Sequence, residues 1–341
     1  MPRPDLFLLP VALGLMLAAT TSKAQERDPL FTTEQLARMA NLSAPQEASL
    51  ERIDVGGRER SYWIVRPPGL TRPAPVVFVL HGGGPTDGRG TFRYGLHERG
   101  LRDGVITVHP NGAGGPGSGW NDGRQTSFLL ARGDAPDDVA FFSAMIGRLI
   151  ADGSADPDQV YVTGGSNGGM MTLRLACEIS DRLAGAAAFV ANLPEPLQTT
   201  CRPSRPIPVL LMNGTADVMM PYDGGPVAPI TGQDRGMVLS TRETVDFWVQ
   251  ANGCIGDPER LDLPDVDPSD GTRVSLEAHR ACADGTTVVL YSVDGGGHQL
   301  PRLAEAGPRQ VQPRTAGVSS RDIDGAAVIW TFLLGDRPEA Q

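Results

Sequence analysis

The sequence predicts an α/β fold: a mostly parallel sheet with helices on both faces. Two observations carry that expectation. Short unbroken apolar runs such as Val76 to Leu80 and Val209 to Met212 alternate with segments whose apolar residues recur at helical spacing. Strands buried on both faces read as continuous apolar runs, whereas half-exposed strands alternate. The chemistry-bearing motifs also fall at the ends of these runs, where function gathers in parallel sheets.

The elements follow in chain order. Residues 1–24 read as a secretory signal, with Arg3 ahead of an apolar run from Leu6 to Ala19 and a small-x-small cleavage pattern at Ser22, Lys23 and Ala24. The run is short for a membrane span and carries Pro10 and Gly14. A secreted or periplasmic protein is expected, with no membrane contact once the signal is removed. Residues 25–50 form a polar lead-in with a short helix from Thr33 to Met39, and residues 51–336 form a single α/β domain.

Within that domain, Ser61 to Arg66, Val76 to Leu80 and Val105 to Val108 read as strands. Asp137 to Ile150 is helical, with acidic residues at its start that suit the helix dipole. Gln159 to Thr163 is a strand, followed by a helix over Met170 to Glu178. Strands over Ala186 to Val190 and Val209 to Met212 precede a helix over Thr241 to Gln250. A strand over Thr287 to Val293 and a helix over Ile323 to Leu334 close the domain. Gly112 to Gly119, Gly224 to Gly236 and Leu263 to Gly271 read as surface loops.

Composition narrows the chemistry. The net charge of −10 argues against a nucleic-acid partner, which would require a basic face. Lys23 is the only lysine, so Schiff-base, phosphate-loop and Ser–Lys chemistry are excluded from the mature chain. The four cysteines, Cys177, Cys201, Cys254 and Cys282, form an even set in an exported chain and are expected as disulfides. Three pairings are possible, and closeness in sequence favours Cys177–Cys201 with Cys254–Cys282. With no Cys-x-x-Cys or Cys/His cluster, no metal site is expected.

The most informative segment is Gly164 to Gly168, a G-x-S-x-G pattern entered directly from the apolar strand and left by a helix. A serine on such a turn holds its hydroxyl exposed in a strained backbone, and the helix N-terminus turns free N–H groups toward any anion formed there. Ser166 is therefore the candidate nucleophile. A base must follow it in the order serine, acid, histidine. Of the five histidines, only His279 and His298 do so. His279 sits among charges and reads as exposed, while His298 follows Gly295, Gly296 and Gly297 at a strand end and is the better candidate. Asp217, just past the strand Val209 to Met212, is the candidate acid. Asp223 is the runner-up, with a turn role before Gly224 as its plainer reading, and Asp246 lies within a helix. The oxyanion donors are the N–H groups of Asn167 and Gly83, with Gly82 as the alternative. His81 reads as structural. Trp120 either packs beneath its loop or lines the substrate cleft. Asp137 and Asp138 read as a helix start rather than a metal site.

Taken together, His81 to Gly84, Trp120-Asn121, Asp137 to Phe141, the Ser166 segment, Asn213 to Asp217 and Gly295 to His298 resemble the secreted polyhydroxybutyrate depolymerase and feruloyl esterase family. The resemblance spans roughly residues 50 to 335, in the family's order. It implies an α/β-hydrolase-fold serine esterase without a cofactor, with Ser166, Asp217 and His298 at the triad positions and Gly83 as the second oxyanion donor. The chain departs from the family after the histidine. A tryptophan often found there is replaced in the run Gln299-Leu300-Pro301, so Leu300 becomes a candidate cleft residue and aromatic-acyl recognition is put in doubt.

The expectation is an esterase acting through an acyl-enzyme on feruloyl or acetyl polysaccharide esters or on hydroxybutyrate oligomers. The rival readings are an exopeptidase of the same fold and a non-catalytic binding protein on a hydrolase scaffold.

Overall fold

The computed structural model describes residues 42–335 apart from 72, 85–86, 114–118, 125–134, 229–233 and 304–315. The expected signal and the helix from Thr33 to Met39 lie outside the described residues.

A central sheet of ten strands organises the chain, in the order β1-β2-β4-β3-β5-β6-β7-β12-β11-β10. The first two strands, β1 (Ala48–Val55) and β2 (Arg58–Val65), pair as a hairpin turned by Gly56 and Gly57, both at positive φ. The centre consists of β3 (Ala74–Leu80), β4 (Ile106–Pro110), β5 (Ala155–Gly165), β6 (Gly185–Phe189), β7 (Val209–Gly214) and β12 (Val288–Asp294). Each neighbouring pair among these six is parallel. At the far edge, β11 (Arg273–His279) and β10 (Glu259–Asp262) run antiparallel. A separate two-stranded ribbon joins β8 (Gly225–Pro226) to β9 (Met237–Val238).

Alternation along the strands divides the core into two. In β3, Val76, Phe78 and Leu80 point to one face and Val77 and Val79 to the other. The first face is covered by α2 (Asp138–Ala151), α3 (Asn167–Glu178) and α5 (Thr241–Ala251), through Phe141, Leu173 and Trp248. The second is covered by α1 (Leu96–Asp103) and α6 (Gly325–Leu334), through Leu96, Ile329 and Trp330. A further single turn, α4 (Leu197–Thr200), lies between β6 and β7. Helix α5 begins with a capping box between Ser240 and Glu243. Asp137 caps α2 by accepting from the Ala140 N–H, as the helix-start reading requires.

Both disulfides form in the expected pairing, Cys177–Cys201 and Cys254–Cys282. Each removes freedom from the unfolded chain and is worth about 2–4 kcal/mol.

Strands β1, β10 and β11 and helix α1 had no clear sequence signal. They lie at the sheet edges or on the surface, so their residues are largely polar; every residue of β10 is exposed. β1 begins at Ala48, inside the stretch read as lead-in. The loop from Leu263 to Gly271 joins β10 to β11, and is held down where Asp322 accepts from the Val266 and Asp267 N–H groups. Among the described residues no helix is long and apolar enough to cross a membrane.

Candidate active site

Ser166 sits where β5 ends and α3 begins, with φ 57 and ψ −125. This is a rare conformation for a residue with a side chain, and such strain persists only where the surroundings hold it. Those surroundings are close packing and two backbone bonds. A Cβ on Gly168 would come within 2.4 Å of the His81 carbonyl oxygen, so only glycine allows α3 to press against the end of β3. The Ser166 N–H donates to the Phe189 carbonyl at 3.1 Å, and its own carbonyl accepts from the Met170 N–H at 2.9 Å. Asn167 is the first residue of α3, which leaves its N–H outside the helical ladder.

The acid and the histidine come from loops after the C-terminal ends of neighbouring parallel strands. Asp217 follows β7 and His298 follows β12, its neighbouring strand. His298 Nδ1 donates to Asp217 Oδ2 at 2.6 Å. The other carboxylate oxygen accepts from the N–H groups of Met219 and Met220, each at 2.8 Å. The Asp217 side chain is only 1 % exposed and that of His298 15 %. Because a carboxylate only accepts, the imidazole carries its proton on Nδ1 and keeps Nε2 as a base. Four bonds stitch the two loops together: Thr215 N–H to the Val293 carbonyl, Ala216 N–H to the Gly296 carbonyl, Thr215 Oγ1 to Asp294, and Gly295 N–H to Thr215 Oγ1. Among the described residues the Ser166 hydroxyl makes no hydrogen bond. In free enzymes such contacts are often long and tighten when substrate binds.

The glycine loop after β3 lies against the serine. A Cβ on Gly82 would be 3.4 Å from Ser166 Cβ, and one on Gly83 would be 3.7 Å from Asn167 Cβ. Both candidate donor loops therefore border the nucleophile.

Burial decides two of the readings, those of Trp120 and His279. Trp120 is 2 % exposed; it packs between His81 and Phe142, and its indole N–H donates to the His81 carbonyl at 2.8 Å. It supports the glycine loop from below and has no surface to offer a substrate. Leu300 is half-buried and packs against Gly325 of α6, beside the second core. His279 is not exposed: its side chain is 11 % accessible and its Nε2 lies 3.0 Å from Glu277. Of the other acids, Asp223 is an exposed turn residue, and Asp246 pairs with Arg242.

Several supporting residues gave no readable signal. The Asn167 side chain accepts from the Trp120 N–H at 2.6 Å and donates to the Trp120 carbonyl and to buried Asp122. Asp122 in turn holds Arg124. Asp138, beyond starting a helix, is wholly buried; it pairs with Arg60 at 2.7 Å and accepts from the Asn121 N–H. Burial pushes its carboxyl above the usual range, against the pull of the Arg60 guanidinium. The Trp120 to Arg124 segment is thus pinned to the helix that follows Ser166 and to α2.

A strained serine at a strand–helix turn, with a hydrogen-bonded Asp–His pair following neighbouring strands of the same parallel sheet, defines the α/β-hydrolase class. Residues 97–194, which contain the Ser166 turn, match the family model described as the prolyl oligopeptidase family. The chain is 33 % identical over 300 residues to the "Putative esterase NocK" of Nocardia uniformis subsp. tsuyamanensis, across 86 % of this chain and 84 % of that one. Feruloyl esterase B of Piromyces equi is 31 % identical over 201 residues, which are 58 % of this chain and 34 % of its own length. An acetyl xylan esterase from Aspergillus awamori aligns over 74 % of this chain and 95 % of its own, at 17 % identity and a TM-score of 0.49. The chain belongs to the serine esterases of the α/β-hydrolase fold, and it is a carboxylic-ester hydrolase.

Proposed function

We propose that this enzyme is exported and cleaves feruloyl or acetyl esters of polysaccharide through an acyl-enzyme on Ser166. The observation that carries the mechanism is the Asp217–His298 bond of 2.6 Å, at the same C-terminal end of the parallel strands as the strained serine. His298 Nε2 takes the Ser166 proton as Oγ attacks the ester carbonyl, and the carbonyl electron pair moves onto its oxygen. The N–H groups of Gly83 and Asn167 hold that oxyanion; each donor is worth about 3 kcal/mol in the transition state. On collapse the alcohol departs with the proton from His298. Water, deprotonated by the same nitrogen, then releases the acid. Asp217 holds the imidazole in the Nδ1–H tautomer and offsets the charge it acquires.

The names of the relatives favour a feruloyl ester, and the two disulfides suit an oxidising compartment. The test is an initial-rate panel on the purified chain, with Ser166→Ala as the blank. Its substrates are methyl ferulate, acetylated xylo-oligosaccharide, hydroxybutyrate oligomers and an aminoacyl anilide. Turnover of the first two above the others supports the proposal. Preference for hydroxybutyrate oligomers replaces the substrate class, and preference for the anilide replaces the ester by a peptide.

A further inference from the structure

Both ring nitrogens of His81 are engaged, and together they define its tautomer. Nδ1 lies 2.7 Å from the Gly82 carbonyl oxygen, which can only accept, so Nδ1 carries the proton. Nε2 accepts from the Gly112 N–H at 3.0 Å. The ring is 2 % exposed and lies against the Trp120 indole, with centroids 4.8 Å apart. It cannot turn over without losing both bonds.

The consequence lies one peptide further on. The peptide joining Gly82 to Gly83 is trans and planar, so its C=O and N–H point in opposite directions. Holding the Gly82 oxygen therefore sets the direction of the Gly83 N–H. Neither glycine has a side chain to restrain this peptide, and glycine backbones are the most mobile of any residue. His81 supplies a clamp on this peptide from outside it, beside Ser166.

We infer that His81 is a positioning residue, whose Nδ1–H clamps the Gly82 carbonyl and so aims the Gly83 N–H at the oxyanion. The inference rests on Gly83 being an oxyanion donor, as proposed above. His81 itself touches no reacting atom. Burial holds its pKa down to about 4, aided by Arg93 and opposed by the Gly82 bond and by Asp87. The neutral ring, which lets Nε2 accept from the Gly112 N–H and so holds the imidazole in place, is therefore kept through mildly acidic pH.

The test compares His81→Asn with His81→Gln in the full chain. The asparagine amide places a donor near the Nδ1 position, whereas the longer glutamine reaches toward Nε2 and Gly112. For H81Q, kcat is expected to fall about 10- to 100-fold, somewhat less than the loss of a whole donor, with KM within about threefold. A boronic acid that forms a tetrahedral adduct on Ser166 should weaken by a similar factor. H81N should recover most of kcat. Equal losses of kcat in two folded variants would overturn the inference in favour of packing alone, as would unchanged kcat in H81Q. If neither variant folds, nitrogen-15 spectra of the histidines in the wild-type protein decide: an Nε2–H tautomer at His81 overturns it. Ser166→Ala assayed in parallel separates the two failures. Activity retained there sinks the nucleophile assignment, whatever His81 does.

Discussion

The two halves of the site are built by different means. The nucleophile half is local and tight: Ser166, Asn167 and Gly168 are consecutive, and glycines let backbone pack on backbone. The acid–histidine half is assembled from positions 81 residues apart, brought together by neighbouring strands and hydrogen-bonded loops. Chemistry in the first half depends on a strained conformation. In the second it depends on which atoms donate and which accept. Substitutions should therefore behave differently in the two, and that difference can be measured.

The largest expected effect is Ser166→Ala, which should lower kcat by about four to six orders of magnitude with little change in melting temperature. Activity in a folded S166A protein would remove the nucleophile from this half. Asp217→Asn should cost about 10⁴ in kcat. Its oxygen can still accept from Met219 and Met220, but its amide would face the His298 N–H donor-to-donor. A wild-type rate in D217N would show that hydrogen-bond polarity is not what the second half supplies.

Beneath both halves, Arg60→Met would leave Asp138 buried without its partner and release the loop that Asn121 anchors. The expected destabilisation is about 3–5 kcal/mol, read by chemical denaturation. Unchanged stability would mean that Asp138 is protonated in the folded protein.

Acid should weaken the nucleophile side of the sheet. Burial lowers the pKa of His81, His97 and His109 below their ordinary values, that of His81 to about 4. In the unfolded chain these groups take up protons near pH 6.5, while the folded protein refuses them. Stability is therefore complete above that pH and falls as the pH drops through it. For His81 the loss reaches about 3 kcal/mol by pH 4. Thermal melts between pH 7 and 4 check the sign: a melting temperature that rises on acidification would contradict it. The smallest stability effect is that of Ser166→Gly, which should abolish turnover yet stabilise the fold by about 1 kcal/mol by relieving the positive φ. Lower stability in S166G would show that the turn carries no strain.

How much of this was legible in the sequence depended on how local each signal was. The central strands could be read because burial on both faces makes them unbroken apolar runs, as in Val76 to Leu80. The edge strand Glu259–Asp262 could not, since a polar, exposed strand is defined by its partner and not by its composition. Ser166 was readable from glycines at fixed spacing, and His298 and Asp217 from chain order and strand ends. The support was not. Asp138 looked like a helix cap, and its pairing with Arg60, 78 residues away, is a property of the sheet. Trp120 was ambiguous because a tryptophan beside a glycine loop suits a cleft as well as a core.

The sequence by itself determined the strand–helix alternation, narrowed the candidate nucleophile and base to Ser166 and His298, and favoured, among three possible disulfide pairings, the one the structure shows. Each of these follows from short-range patterning, from the scarcity of histidine and cysteine, or from chain order. Tertiary structure alone decided which side chains hold the machinery in place. The tautomer of His81, the latch from Asn167 to Asp122 and the burial of Asp138 arise where segments far apart in the chain meet. Removed from water there, a polar group must find a partner, and no local pattern says which one it will be.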